Sequence, residues 1–371
     1  MTPLTDNLKK TPYYDRHLAL NARIVDFGGW AMPVQYSSII DEHIACRERI
    51  ALFDTSHMGR FDIRGSGARD ALDKLVTRSL KGLTPGQARY GFLCNETGGV
   101  IDDTVVYRHP DDTDETHYYM VVNAGTTDGD REHVLAHLPK GVKLVDVSSE
   151  TVKFDIQGPK ARLPLATMTD FDLKSLKRFC SAEAIVLGEK CLVSRSGYTG
   201  EYGFELYCRK AHGLKVWDEL LSRGKANGIL PAGLGARDTL RTESCLPLYG
   251  HELSLDISPI MAGQEWAVSL DKEFIGSDAL KKQASGGTDK KIVAFKLDGR
   301  QTARPGAEVL ADGKPAGRVT SGVFCPSLGL AAGLALVESR LSEPGTKLEI
   351  STGKKTLPAV VVKKPLYQKD A

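Results

Sequence analysis

The chain has no apolar stretch long enough to cross a bilayer. Its longest, Leu328 to Val337, is ten residues rich in glycine and alanine, against the roughly 20 that a spanning helix needs. It has no excess of either charge, with 49 basic residues against 47 acidic and a formal net charge of +2, which argues against a dedicated nucleic-acid binder. It has no Cys-x-x-Cys pair, and its seven cysteines are an odd number. They read as reduced thiols of a cytosolic protein. The opening Met-Thr-Pro-Leu-Thr-Asp has neither a signal nor a transit layout, so the expected location is the cytoplasm, or the mitochondrial matrix only if a transit peptide is missing from this sequence. Glycine, by contrast, is plentiful at 37 of 371 residues, and suggests many tight turns between strands in a chain of two or three domains.

Several catalytic signatures are also missing. There is no Gly-x-Gly-x-x-Gly after a strand, no phosphate-binding Gly-x-x-x-x-Gly-Lys loop and no Gly-x-Ser-x-Gly elbow, so dinucleotide, P-loop and serine-hydrolase chemistry lose support. His133 and His137 lie four apart on an expected helix. With no glutamate between them and no third ligand nearby they read as a surface pair, and no metal is expected.

Residues 37–50 place apolar side chains at helical spacing after a serine cap. Strand patterns follow at 60–64, 100–107 and 118–122, with a helix at 68–75 and a polar, solvated hairpin tip at 111–115. Further strands are expected at 151–156, 184–187 and 191–194, then a helix at 211–223. Ala284–Lys290 is the best linker candidate, and short strands punctuated by glycine and proline after it suit a small all-β domain. From Lys354 onward five lysines stand against one aspartate.

The most informative stretch is Thr97-Gly-Gly-Val-Ile-Asp-Asp-Thr-Val-Val-Tyr107, a glycine turn leading into a strand that opens on two carboxylates. Side chains alternate on a strand, so Asp102 and Asp103 face opposite ways and one of them must point inward or toward a cleft. An inward carboxylate is costly unless paired or used, which makes it a candidate acid/base group, although alternation does not say which of the two it is. In Ser194–Leu206 three glycines within seven residues allow backbone to approach a ligand, with Tyr198 to stack and Glu205 to accept hydrogen bonds. Arg237 and Arg241 share a helix face, where they suit a carboxylate ligand or pair with Asp238 and Glu243.

Taken together, Asp26-Phe-Gly-Gly-Trp30, Met32-Pro-Val-Gln-Tyr36, Asp54-Thr-Ser-His-Met-Gly59, Gly98-Gly-Val-Ile-Asp-Asp103, Gly197-Tyr-Thr-Gly-Glu201, Gly235-Ala-Arg-Asp-Thr-Leu-Arg241 and Leu248-Tyr-Gly-His-Glu-Leu253 occur in the order of one family. The chain closely resembles the T-proteins of the glycine cleavage system, which are aminomethyltransferases, and Ser321–Gly329 extends the resemblance into the last domain.

The resemblance implies transfer of a one-carbon unit from the aminomethyl-lipoyl arm of H-protein to tetrahydrofolate, with release of ammonia, giving 5,10-methylenetetrahydrofolate. Tetrahydrofolate is a co-substrate; lipoylated H-protein is the partner, and neither nucleic acid nor membrane is expected. The implied fold is α+β, a three-domain cloverleaf around a central folate channel. Its first domain is discontinuous (1–53 and 150–280), the second (54–149) is inserted and carries the catalytic aspartate, and 281–371 is a β-barrel-like domain. By position, Asp102 is the catalytic carboxylate, and Met58, Tyr90, Asn123, Phe179, Tyr198, Glu205 and Arg237 are folate- or substrate-binding. The chain departs from the family pattern at Met261, where an acidic residue is usual, and at Thr242, Ser244 and Cys245. A folate-dependent demethylase of a small N- or S-methyl donor is the runner-up, disfavoured by the retained donor-side motifs. A folate-binding iron–sulfur assembly factor is a further alternative, disfavoured because that group carries a cysteine where this chain has the Ser196-Gly-Tyr198 strand-turn, with no cysteine there.

Overall fold

The structure, a computed structural model, describes residues 7–353 and 355–368. The opening hexapeptide lies outside the described residues, as do Lys354, Lys369 and Asp370 of the basic tail. The chain divides into two compact units. The first comprises Met1–Asp73, Leu80–Tyr90 and Thr104–Arg237; the second comprises Lys74–Ser79, Gly91–Asp103 and Asp238–Ala371.

The first unit is built on a six-stranded sheet in the order Ser181–Val186, Glu189–Ser194, Gly203–Arg209, Thr151–Gln157, Ile50–Asp54, Ile229–Pro231. All neighbours are antiparallel except the last pair. Val152, Phe154 and Ile156 alternate along their strand and meet Val216, Trp217 and Leu220 of the Lys210–Gly224 helix in one core. Those helix positions lie three and four apart, so they form the apolar stripe the sheet requires. The Ile39–Glu48 helix starts where the sequence signals it. Ser38 is the cap, its Oγ accepting the Asp41 N–H at 3.1 Å, with Asp41 and Glu42 in the first turn.

A second sheet takes the order Ala88–Cys94, Val100–Arg108, His117–Val122, Gly59–Arg64, Lys143–Asp146. Its first two strands run past the unit boundary, and the hairpin joining them, Gly91–Asp103, belongs to the second unit. The 111–115 tip is solvated as expected except at one position. Asp112 is buried because its carboxylate takes the Arg108 Nε–H at 2.7 Å and the Thr116 N–H at 3.0 Å.

The second unit contains a closed six-stranded barrel: Lys290–Leu297, Leu330–Glu338, Lys314–Cys325, Glu308–Ala311, Lys347–Ser351 and Thr356–Val362, closing on the first. The expected linker is shorter than its glycines imply. The Ser277–Gly286 helix runs through Ala284 to Gly286, and the barrel opens at Lys290. Gly287, at φ +81°, ends that helix by donating its N–H to the Gln283 carbonyl.

Candidate active site

Glu205 and Asp155 project from directly paired positions of antiparallel strands. Both are buried, as is Lys153 two residues along from Asp155. The Lys153 ammonium donates to Asp155 Oδ1 at 2.6 Å, Glu205 Oε1 at 2.8 Å and Thr55 Oγ1 at 3.1 Å, which uses all three of its hydrogens. The second oxygen of Asp155 accepts from Arg237 Nη1 at 2.9 Å, and the Arg237 guanidinium lies 4.8 Å from the Tyr198 ring centroid. The second oxygen of Glu205 takes hydroxyls from Ser196 at 2.5 Å, Tyr207 at 3.1 Å and Tyr107 at 3.2 Å. Two carboxylates and two cations thus make a neutral, hydrogen-bonded group, the form in which buried charge is tolerated.

The electrostatics follow from the geometry. Burial alone would raise the Asp155 carboxyl, but the Lys153 and Arg237 charges and the hydrogen bonds hold it below the usual carboxylate range. Burial first, and then the Glu205 charge, push the Tyr107 and Tyr207 phenols up, so both hydroxyls stay protonated and can donate. His57, nearly enclosed, is pushed down to about 4 by burial, reinforced by the Arg237, Lys153 and Arg60 charges against an opposing Asp54. Its Nδ1 is buried and has no hydrogen-bond partner among the described residues.

Of the residues expected at the site, the first unit brings four together. Glu205, Arg237 and Tyr198 belong to the cluster just described, and Met58 packs with Ala88, Tyr107, Tyr119 and Tyr207 beside it. Tyr90 lies two positions from Ala88 on the same strand. Phe179 donates its N–H to the Arg195 carbonyl and takes the Ala88 N–H on its own carbonyl, at φ +57°. Asn123 follows the His117–Val122 strand, and its carbonyl takes the Thr127 hydroxyl at 2.8 Å. Met58, Tyr90, Asn123, Phe179, Tyr198 and Arg237 are all half-buried.

Asp102 belongs to the second unit, where it is fully buried while Asp103 is half-buried. The glycine turn before it is tightly held. Gly98 takes φ +84°, Asn95 Oδ1 accepts the Gly99 N–H at 2.9 Å, and the Val100 N–H meets the Ser254 carbonyl at 2.8 Å. A Cβ on Gly99 would lie 1.7 Å from the Leu255 carbonyl oxygen.

Other sequence candidates have structural work. Arg241 is buried among Glu252 at 2.8 Å, Ser321 at 2.7 Å and Asp238 at 2.6 Å, so of the two helix arginines only Arg237 joins the Glu205 cluster. Asp54 is enclosed by His17 at 3.0 Å, Thr11 at 2.6 Å and the Ser56 N–H, and Tyr36 reaches the other nitrogen of His17. His137 turns Nδ1 to the His133 carbonyl of its own helix at 2.8 Å. Cys245 ends its helix at φ +54°, a left-handed position that glycine occupies without strain.

The residues the sequence reading missed are Lys153 and Asp155. They lie on the polar side of Thr151-Val-Lys-Phe-Asp-Ile-Gln157, whose alternation reads as a strand with one wet face. The structure buries both faces.

The first unit thus holds a buried carboxylate–ammonium–guanidinium cluster, with half-buried aromatic and amide side chains on the same α+β scaffold. The chain matches the GCVT N-terminal domain over residues 13–272 and the glycine cleavage T-protein C-terminal barrel domain over 290–368. It is 45% identical over 364 residues to an aminomethyltransferase of Desulforamulus reducens, covering 98% of this chain and 99% of that one. It is 46% identical over 369 residues to an aminomethyltransferase of Caldanaerobacter subterraneus subsp. tengcongensis, covering 98% and 97%. Its fold matches the crystal structure of glycine cleavage system aminomethyltransferase T from Bartonella henselae with a TM-score of 0.90 at 30% identity, covering 97% of this chain and 98% of that one. The chain belongs to the glycine cleavage T-protein family, and the aminomethyltransferase reading of its sequence stands.

Proposed function

We propose that this chain moves the one-carbon unit of an aminomethyl-lipoyl H-protein to tetrahydrofolate, forming 5,10-methylenetetrahydrofolate and releasing ammonia and the reduced lipoyl arm. The observation that carries this reading is the end-to-end likeness to aminomethyltransferases, 45% identity over 98% of the chain. The residue types fit the co-substrate. A pterin presents N–H donors and a flat ring, which suit a carboxylate and aromatic side chains, and a glutamyl tail is an anion that suits a guanidinium.

In this reading Asp102 is the catalytic carboxylate. It orients the attacking folate nitrogen and accepts its proton as the carbon–nitrogen bond forms and ammonia leaves. Its burial, against the half-burial of Asp103, supports the choice between the two. Glu205 accepts hydrogen bonds from the pterin, Arg237 meets the anionic tail, and Met58, Tyr90, Asn123, Phe179 and Tyr198 contribute apolar, stacking and amide contacts. Glu205 Oε2 already takes three hydroxyls. A ligand N–H displaces one of them at little cost, because the Tyr107 hydroxyl also lies 3.3 Å from both Ser196 Oγ and the Tyr207 hydroxyl.

The partition into 1–53, 54–149, 150–280 and 281–371 is part of the proposal, supported near 281 by the gap between the two family matches, which end at 272 and resume at 290. A cytoplasmic location is supported by the seven cysteines, none of which forms a disulfide among the described residues.

The test is turnover with tetrahydrofolate and aminomethyl-loaded H-protein, run beside small N- and S-methyl donors. Methylenetetrahydrofolate and ammonia should form in equal amounts from the loaded H-protein alone. Product from a small methyl donor, with none from H-protein, would overturn the reading in favour of a demethylase.

A further inference from the structure

At the base of the 111–115 hairpin, His109 and His117 stack face to face with ring centroids 3.9 Å apart and planes 17° apart. Their Nδ1 atoms converge on one oxygen: Asp111 Oδ1 lies 2.5 Å from His109 Nδ1 and 2.8 Å from His117 Nδ1. Behind this group, His117 Nε2 lies 3.1 Å from Asp62 Oδ2, and Asp62 also holds Arg64 at 2.6 Å. The backbone N–H of Asp111 points at His109 Nδ1 at 3.4 Å.

A carboxylate only accepts, so Asp62 takes a hydrogen from His117 Nε2, and Asp111 Oδ1 takes one from each Nδ1 that carries a proton. Burial pulls the His117 imidazole down, but its hydrogen bonds to Asp62 and Asp111 hold it above the usual range. A metal ion can take the place of the Nδ1 protons: both imidazoles and the Asp111 carboxylate offer ligand atoms within 4.8 Å of one another, and Asp62 goes on accepting from His117 Nε2.

We propose that His109, Asp111 and His117 form a binding site for a divalent transition-metal ion of the zinc class, with Asp62 orienting His117. The donor set is two imidazoles and one carboxylate, which suits zinc, nickel or copper and not the oxygen-seeking magnesium or calcium. Tetrahedral zinc places its ligand atoms about 3.3 Å apart, so Asp111 Oδ1 need draw back from each Nδ1 by less than about 1 Å. Asp62 on the far nitrogen of His117 completes the carboxylate–histidine–metal arrangement that fixes a ligand's tautomer. The histidine side chains are 13% and 8% exposed and that of Asp111 is 50% exposed, so the site opens to solvent through the aspartate, where water takes the fourth position. Cross-strand pairing prepares the ligands: the His109 N–H donates to the His117 carbonyl at 3.0 Å, and Arg108–Asp112 braces the turn between them. The ion lies on a hairpin and plays no part in the one-carbon chemistry.

The test is titration of the chelator-treated full chain with zinc chloride alone, followed by calorimetry and by metal analysis after desalting. One zinc per chain is expected, with Asp62→Asn weakening binding about 10–100-fold. His109→Gln and His117→Gln should each lose the zinc, while His133→Gln keeps it. The melting temperature of the unsubstituted chain should rise with zinc, and those of the two hairpin variants should not. If His117→Gln fails to fold, His109→Gln and the absorption spectrum of the cobalt-loaded unsubstituted chain decide the same question. No zinc bound in the titration and none retained after desalting, or full retention by both hairpin variants, would overturn the proposal.

Discussion

Asp155 and Glu205 are paired residues on adjacent antiparallel strands, and the Lys153 ammonium binds an oxygen of each, at 2.6 and 2.8 Å. Two buried carboxylates in directly opposed positions repel unless a cation lies between them. The cluster therefore depends on Lys153 in a way that its surface counterparts, such as Lys190–Glu183, do not. Lys153→Met should cost about 3–5 kcal/mol of unfolding free energy, the usual penalty for stranding buried charge. The double variant Lys153→Met/Glu205→Gln should recover at least about 1 kcal/mol of that. Equilibrium urea unfolding measures both. A loss below about 1 kcal/mol in the single variant would show that water reaches the pair.

The two adjacent aspartates separate the chemical role from the structural one. With Asp102 enclosed and Asp103 half-exposed, Asp102→Asn should lower kcat about 10²–10⁴-fold, the range for removing a proton acceptor. Asp103→Asn should stay within a few-fold of the unsubstituted rate. Single-turnover formation of methylenetetrahydrofolate is the measurement, and the reverse order of effects would remove Asp102 from its role.

Much of this was legible in the residues, and where it was not the reason is physical. The helix at Ala68–Leu75 and the cap at Ser38 follow from local signals that tertiary contacts leave alone. The glycine excess marks turns, as expected, and more than half of the glycines take positive φ. Alternation showed that one of Asp102 and Asp103 turns inward, but two-residue periodicity carries no absolute direction, so the choice rested on the family resemblance. Lys153 and Asp155 were invisible because a polar strand face reads as solvent-facing. Only the Asp155–Glu205 pairing, 50 residues apart in sequence, shows that the face is covered. The His109–Asp111–His117 group escaped for the same reason. The hairpin brings together histidines eight residues apart, whereas the pair with helical spacing in the sequence, His133 and His137, spends a ring nitrogen on its own helix.

The pH dependence of stability should carry a signature of His57. Its folded-state value is about 4, below the usual histidine value of about 6.5. Between those limits the unfolded chain binds a proton that the folded chain refuses, so stability is intact above about pH 6.5 and falls as pH drops toward 4. The full contribution is roughly 3 kcal/mol at 1.36 kcal/mol per unit. Asp155 adds a loss of the same sign only at lower pH, as its depressed carboxyl is titrated from the unfolded value downward. His57→Gln removes the titration, so its stability should decline less between pH 7 and 4. Matching slopes in denaturant unfolding for the two proteins would place the His57 ring in contact with water.

Gly99 tests whether the turn sets the position of the aspartate strand. Its backbone passes so close to the Leu255 carbonyl that an added Cβ would sit 1.7 Å from the oxygen, well inside the 3.5–4 Å at which non-bonded carbons pack. The obstacle is backbone, so no side-chain rotation relieves it, and the Gly91–Asp103 hairpin must shift against the 254–257 segment to which Val100 is bonded. Gly99→Ala should therefore cost about 1–3 kcal/mol of stability, the range for overpacking a tight contact. Because Asp102 lies three residues further along the same chain, kcat should fall as well, by more than the loss of folded protein accounts for. Gly98→Ala separates the two effects. Its φ of +84° makes alanine strained, but the nearest atom to its Cβ is the side-chain Cδ2 of Leu280 at 2.9 Å, which can move. That variant should lose stability while keeping most of its kcat. Equal losses of kcat per folded molecule in the two variants would mean that the hairpin transmits any disturbance to Asp102, whatever the contact broken.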